Sequence, residues 1–275
     1  MDPRFQRRVQ RYGWDKAVPT YEQAWRAQLE PAHRLMLDMA DPQPGERGLD
    51  VACGTGLVSF RMAEAVGERG AVVGTDISGE MVETARRLAA ERGIDNATFE
   101  RCDAEALPLA DAAFDVALCG LGLMYVPDPA KALLEMRRVL RPGGRAAAAV
   151  WGARASCGWA EIFPITAARV SSEVCPMFFR LGTQDVLART FAEAGFTDVR
   201  FERLRTTLHY SSTAAALDAV FQGGPVALAY SRFDAATRRA VHAEYLDSIA
   251  AYRADDGYRI PGEFVVAAAR VPLSH

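Results

Sequence analysis

Short apolar runs alternate with amphipathic stretches between residues 48 and 204, and that alternation predicts a parallel sheet with helices on both faces. Strands are expected before Gly54, over residues 72–77, near Phe99, over 114–120 and 146–151, then over 196–204 and finally 264–271. The helices between them carry start and stop signals. Residues 57–67 form the first, and Ser78 can cap the second, whose Met81, Val82, Ala85, Leu88 and Ala89 line one face before Gly93 ends it. Asp128-Pro129 reads as an N-cap followed by proline in the first turn, and Pro142-Gly143-Gly144 as the turn that closes that helix. Val186, Leu187 and Phe191 mark another helix, stopped by Gly195.

Ahead of this core, Tyr12, Trp14, Tyr21, Trp25, Leu29, Leu35, Met36 and Met39 have the spacing of amphipathic helices that end at Asp41-Pro42-Gln43-Pro44-Gly45. Residues 152–182 and 206–260 exceed what a minimal core needs, and the second contains helical patterns over 214–221 and 235–252. The expected organisation is an N-terminal helical arm or lid (1–44), a cofactor-binding core (45–151), a cap segment (152–182), a core helix and strand (183–205), a helical cap insertion (206–260) and the last core strand (261–275). A homodimer interface is the other use for the two long segments.

Composition narrows the classes. Half of the 275 residues are hydrophobic, enough for a sizeable core, and the net charge of -3 offers no basic footprint for a nucleic-acid backbone. Arg7, Arg8 and Arg11 read as a solvated helix face. No run approaches a membrane span and no apolar leader stands at the N-terminus, so a cytoplasmic protein is expected. Five cysteines without C-x-x-C pairs suggest neither a disulfide framework nor a metal site; Cys53, Cys102 and Cys119 fall at strand ends as small fillers, and Cys157 and Cys175 lie outside the core motifs.

The chemistry is concentrated where the strands end. Gly54 and Gly56 let the chain turn tightly, so that a ligand can lie against bare backbone before a helix starts. Asp76, at the end of the second strand, can accept hydrogen bonds from both hydroxyls of a ribose. A pyrophosphate turn needs a third glycine, but Leu57, Val58 and Ser59 follow Gly56, and Asp50 before the turn would repel phosphate and suit an ammonium or sulfonium. The stretch from Gly48 to Gly56 resembles motif I of class I S-adenosylmethionine-dependent methyltransferases, with Ala52 in place of the first glycine. Residues 99–105, 114–120 and 133–144 are similar to that family's later segments in the same order, and the nearest pattern is that of the ubiquinone and menaquinone biosynthesis methyltransferases.

The resemblance implies a Rossmann-like α/β fold with a seven-stranded sheet in the order 3-2-1-4-5-7-6, the last strand antiparallel, and S-adenosylmethionine (SAM) as cofactor. It implies contacts from Asp50, Ala52, Cys53, Gly54, Thr55 and Gly56 in the first turn, and from Asp76, Ile77 and Met81 after the second strand. Cys102, Asp103 and Ala104 would hold the adenine, with Asp103 accepting from its amino group, and Cys119 and Gly120 would complete the floor. Look-alike enzymes add an aromatic hydroxyl from the N-terminal arm, here Tyr12 or Tyr21. The implied activity is in-line methyl transfer to a small molecule, with no nucleic acid, no membrane span and no metal. The flexible, apolar residues 119–125 lack the Asn/Asp-Pro-Pro-Tyr/Phe segment of enzymes that methylate exocyclic amino groups of nucleic acids. His33, Glu161, His209, His242 and Tyr125 are candidate bases that no motif assigns, and Phe163, Phe178, Phe179, Phe221, Tyr230 and Phe233 are candidate pocket walls. An NAD-dependent oxidoreductase, or a SAM-binding protein without methyl transfer, are the alternatives.

Overall fold

A computed structural model describes residues 2–170, 175 and 177–273; part of the expected cap segment 152–182 lies outside the described residues. The chain opens with α1 (Pro3–Ala40), a single helix of 38 residues where separate helices were expected. Pro19 and Pro31 lie inside it. Each removes one backbone donor, a cost of about 3 kcal/mol in an isolated helix, and packing holds the helix through both. The second half buries Trp25, Leu29, Ala32, Met36 and Ala40, a helical stripe against the sheet; the first half buries only Gln10, Gly13 and Ala17.

The core then runs β1 (Arg47–Val51), α2 (Leu57–Val66), β2 (Ala71–Asp76), α3 (Gly79–Arg92), β3 (Ala97–Arg101), β4 (Phe114–Gly120), α4 (Pro129–Val139) and β5 (Leu140–Trp151). Caps follow the sequence signals: the Ser78 side chain accepts from the Met81 N–H, Gly93 closes α3 in the left-handed region, and the Asp128 side chain accepts from Lys131 N–H with Pro129 in the first turn. β5 starts six residues earlier than the expected 146 because the Pro142-Gly143-Gly144 turn is a bulge within the strand: Phe114 pairs with Leu140 but Val116 with Arg145.

After α5 (Ile162–Ala167) and α6 (Val186–Glu193) come β6 (Thr197–Tyr210), α7 (Thr213–Phe221), α8 (Ala227–Tyr230), α9 (Ala235–Ser248), the two-residue β7 (Arg253–Ala254) and β8 (Gly257–Arg270). β6 and β8 extend beyond the expected 204 and before the expected 264, because they zip up as one antiparallel ladder from Thr197↔Arg270 to Tyr210↔Tyr258. The strand order is β3-β2-β1-β4-β5-β8-β6, with β7 appended to β8. Counting only the seven longer strands, this is the expected order, and β8 is antiparallel to both neighbours.

Successive crossovers run outward from β1 to β3 on one side and from β4 to β5 on the other. Right-handed connections in opposite directions place α2 and α3 on one face and α4 on the other, and leave a crevice between β1 and β4 where the direction reverses.

Candidate active site

Each wall of that crevice comes from the carboxyl end of a strand. After β1 the chain turns through Ala52, Cys53 and Gly54, with the Cys53 N–H bonded to the Thr75 carbonyl at 2.9 Å. Ala52 adopts φ +57°, the left-handed region that favours glycine. A side chain there costs of order 1 kcal/mol, so the alanine keeps the turn that the family builds with glycine, at some strain. Gly122, after β4, makes room for it: a Cβ on Gly122 would lie 2.3 Å from that of Ala52.

Asp76 ends β2 with both carboxylate oxygens tied to backbone. Oδ2 accepts from the Gly54 N–H at 2.9 Å and Oδ1 from the Ser78 N–H at 2.8 Å. Each oxygen keeps a second lone pair for a ligand hydroxyl. Burial lifts its pKa to about 6, against the two backbone donors. Beneath the turn, Asp50 is fully buried; Oδ2 accepts from Ser59 Oγ at 2.6 Å, and Oδ1 has no partner. Burial, reinforced by the charge of Asp76, pushes Asp50 up to about 7. Two buried carboxylates, one with an unused oxygen, make a site that a cationic guest would stabilise.

The cavity over these groups is lined by Tyr21, Ala52, Gly54, Asp76, Ile77, Met81, Cys102, Asp103, Ala104 and Gly120, ten of the sixteen residues implied from sequence. Six are elsewhere. Tyr12 is 46% exposed under the Arg11 guanidinium, because the buried stripe of α1 runs Gln10, Gly13, Ala17 and on to the cavity-facing Tyr21, leaving position 12 outside it. Asp50, Cys53, Thr55, Gly56 and Cys119 stand behind the wall. Cys53 packs with Phe60, Val82, Ala85 and Phe99; the Thr55 hydroxyl donates to Glu22; Gly56 caps α2; Asp50 is held by Ser59; and strand alternation turns Cys119 inward next to the cavity-facing Gly120.

Sequence reasoning missed Arg7, Gln10 and Trp14 as walls, along with Thr75, Val126 and Pro127, and took Leu121, Gly122 and Tyr125 only as part of an apolar stretch suited to a small acceptor, with Tyr125 also a candidate base. Arg7 meets the expected adenine ligand: its Nε lies 2.7 Å from Asp103 Oδ2, a charge contact without hydrogen-bond alignment, while Nη2 pairs with the buried Glu105. Gln6 donates to the Tyr125 carbonyl at 3.2 Å, and Asp15 accepts from Ser78 Oγ at 2.6 Å. These contacts bring the first turns of α1 down on the cavity, whose free volume is about 80 Å³. A drug-sized ligand typically occupies about 300 Å³ or more.

A smaller cavity of about 30 Å³ adjoins it, sharing Trp14, Tyr21, Leu121 and Tyr125 and adding Leu29, Trp25, Trp151, Trp159, Gly224 and Pro225. A wider cleft of about 900 Å³ opens between α1, α2 and the end of α3, with Arg26, Glu30, Arg61, Glu68 and Arg92 on its rim. No strand-end residue of the motifs reaches that cleft, its charges are mixed, and we place the chemistry in the smaller pair of cavities.

The candidate bases are scattered. His33 lines the wide cleft, and burial, aided by Arg61, lowers its pKa to about 4. Glu161 pairs with Arg154, His209 exchanges backbone bonds with Gln28, and His242 is hydrogen-bonded to Tyr230 at 3.0 Å. Only Tyr125 reaches the cavities, and burial pushes its phenol well above the usual range. Phe163, Phe178 and Phe179 pack around Trp159, and Phe221 and Phe233 around Tyr230; none of these six lines either cavity.

Residues 42–168 match the family model described as a methyltransferase domain. The demethylmenaquinone methyltransferase of Listeria monocytogenes serotype 4a (strain HCC23) is 34% identical over 174 residues, which are 58% of this chain and 73% of that protein. The chain belongs to the class I SAM-dependent methyltransferases. Its cofactor is SAM, and the residues present fit that group: Asp76 at a strand end with lone pairs left for ligand hydroxyls, a turn whose Gly54 lines the cavity, and behind that wall a buried Asp50 oxygen without a partner. The aklanonic acid methyltransferase of Streptomyces sp. (strain C5) is 36% identical over 134 residues, 49% of this chain and 61% of that one. The chain spans 40–61% of the length of several of the curated relatives it matches. The YcgJ protein from Bacillus subtilis shares the fold with a TM-score of 0.62 at 18% identity, covering 89% of this chain and all of the other. So does the cyclase SpnF, with a TM-score of 0.58 at 23% identity, over 89% and 81%. The fold therefore does not by itself set the reaction. Among the described residues, no helix is long and apolar enough to cross a membrane and no cluster of metal-ligating side chains occurs.

Proposed function

We propose that this protein transfers the methyl group of SAM to a small-molecule acceptor by in-line displacement. The observation that carries this reading is the adjacency of two cavities: one lined by Gly54, Asp76 and Asp103, and a second that shares Trp14, Tyr21, Leu121 and Tyr125 with it. SAM, when bound, supplies an activated methyl on a sulfonium. The chain's own residues would hold and orient it: Asp76 would take the ribose hydroxyls, Asp103 the adenine amino group, and the turn at Ala52–Gly54 the amino-acid end. The shared aromatic walls exclude water and keep the acceptor on the far side of the methyl, an alignment that can supply several kcal/mol.

No side chain at the junction is poised to take a proton at neutral pH, since burial holds both tyrosine phenols high. Catalysis then rests on alignment. Tyr125→Phe, and alanine at His33, Glu161, His209 or His242 singly, should each lower turnover by less than about a hundredfold, the low end of what a general base contributes. Turnover of methyl-labelled SAM with a cell extract reads this out. A folded variant with normal SAM affinity and a thousandfold loss would identify a base, and no transfer by the wild type would leave a SAM-binding protein.

The first half of α1 acts as a lid over the cofactor. It buries little apolar surface and is held by Arg7, Gln6 and Asp15, so polar contacts rather than a core keep it down. Residues 206–260 complete the cover through Gly224 and Pro225. S-adenosylhomocysteine should slow amide exchange over residues 3–18 by at least severalfold. Unchanged exchange there would show that the helix does not open to admit the cofactor.

A further inference from the structure

Six aromatic side chains wall the acceptor cavity: Trp14, Tyr21, Trp25, Tyr125, Trp151 and Trp159. Their mutual angles distinguish two kinds of guest. A flat ring binds between parallel faces, and a slot of stacked walls would favour it. Here Trp14 stands at 89° to Tyr21 and 83° to Tyr125, Trp25 at 69° to Trp151 and 65° to Trp159, and Trp151 at 64° to Trp159. These neighbours pack edge to face on one another, with ring centroids 4.8–6.3 Å apart, and so present a mixture of faces and edges, not a parallel slot, to the small space, or box, that they line. The free volume of about 30 Å³ is also that of a compact group; one water needs about 10–15 Å³ by the same measure.

Among the described residues, no charged side chain lines the box. Arg7, which lines the neighbouring cofactor cavity, is bound by Asp103 and Glu105. Tyr21 lines both cavities and stands near carboxylates: burial, and then the charges of Asp76, Asp50 and Glu22, hold its phenol high, so its ring stays neutral. Aromatic faces in a desolvated site attract cations, most strongly when the ring is tryptophan. An anionic nucleophile would enter near those carboxylates and lose its hydration.

We propose that the acceptor is an aliphatic amine, whose nitrogen is held in this aromatic box and carries the positive charge after transfer. The inference rests on the methyl-transfer reading above. The ammonium form, which predominates in neutral water, leaves its proton to bulk water before entry, because the sulfonium next door repels a second cation. The free base's lone pair then forms the new bond to the methyl carbon, the carbon–sulfur bond breaks, and its electron pair stays on sulfur, leaving a thioether. A tertiary amine becomes a quaternary ammonium with no proton to remove, and a less substituted one sheds its proton to water after release. The positive charge moves from sulfur to nitrogen, from one cavity into the next, and the aromatic faces receive it there. This chemistry needs no proton acceptor at the box, and among the described residues none lines it.

The test compares three probes on the wild-type protein saturated with S-adenosylhomocysteine, by calorimetry: choline, its uncharged isostere 3,3-dimethylbutan-1-ol, and the flat 2-naphthol. Choline should bind at least roughly tenfold tighter than the isostere and tighter than 2-naphthol. Trp14→Leu should reduce the choline affinity several-fold while changing that of the isostere little. Equal binding of choline and its isostere, tighter binding of 2-naphthol, or no choline binding at concentrations on the order of 10 mM would overturn the amine assignment. S-adenosylhomocysteine is titrated alone first: failure at that step removes the cofactor reading, whereas failure with the cofactor product bound removes only the amine.

Discussion

Replacing Asp76 with alanine is expected to weaken SAM binding by roughly one to two powers of ten. A charged acceptor contributes about 1.5–3 kcal/mol per hydrogen bond, and Asp76 is placed to receive the ribose hydroxyls while its oxygens already hold the Gly54 and Ser78 amides. The variant therefore loses the ribose contact and also loosens the turn that carries the ligand's amino-acid end. Asp76→Asn disturbs both as well: its amide oxygen can accept from one backbone N–H, but its NH₂ faces the other donor to donor. It should bind SAM about as poorly as alanine does. Calorimetry on protein shown by thermal melting to be folded checks the effect, and unaltered affinity in either variant would take Asp76 out of the site.

SAM affinity should also fall as the pH is lowered from 8 to 5.5, by on the order of tenfold. Burial raises Asp50 to about 7 and Asp76 to about 6. A carboxyl whose folded pKa lies above its unfolded value adds stability below the unfolded pKa, and that stability is lost as pH rises through the folded one. Without cofactor, these two groups therefore cost the fold progressively more between about pH 4 and 7. A sulfonium favours the ionised carboxylates, so binding releases protons and strengthens as pH rises through 6 and 7. S-adenosylhomocysteine lacks the sulfonium charge and should show a shallower dependence, and Asp50→Asn should flatten the curve for SAM. Titrations at several pH values decide it; equal affinity at pH 5.5 and 8 would mean that neither carboxylate senses the cofactor's charge.

The parts of this site legible from sequence are those set by local chain chemistry. A glycine turn after a strand, an acid at the next strand end and caps at Ser78 and Asp128 each follow from a few adjacent residues, and all stand where expected. Ala52 kept the glycine conformation because Gly122, seventy residues on, leaves space for its methyl. What stayed hidden depends on distant packing. Arg7, Gln10 and Trp14 become walls only because α1 runs unbroken through Pro19 and lies across the strand ends, whereas the apolar spacing predicted separate amphipathic helices. The helical phase that distinguishes Tyr21 from Tyr12 was present in the sequence, in the line from Gln10 through Gly13 and Ala17, but two of those three residues have no large side chain to mark a buried stripe. The aromatic box draws on α1, β5 and both long segments at once, and no local pattern joins Trp14 to Trp151 and Trp159.

The most direct test of the account is a crystal structure with S-adenosylhomocysteine bound. The account predicts ribose hydroxyls within hydrogen-bond distance of Asp76, the adenine amino group at Asp103 with Arg7 displaced or turned aside, and the sulfur facing the box of Trp14, Tyr21 and Tyr125. A ligand in the wide cleft by Arg26, Arg61 and Arg92, or one whose sulfur faces away from the box, would contradict it.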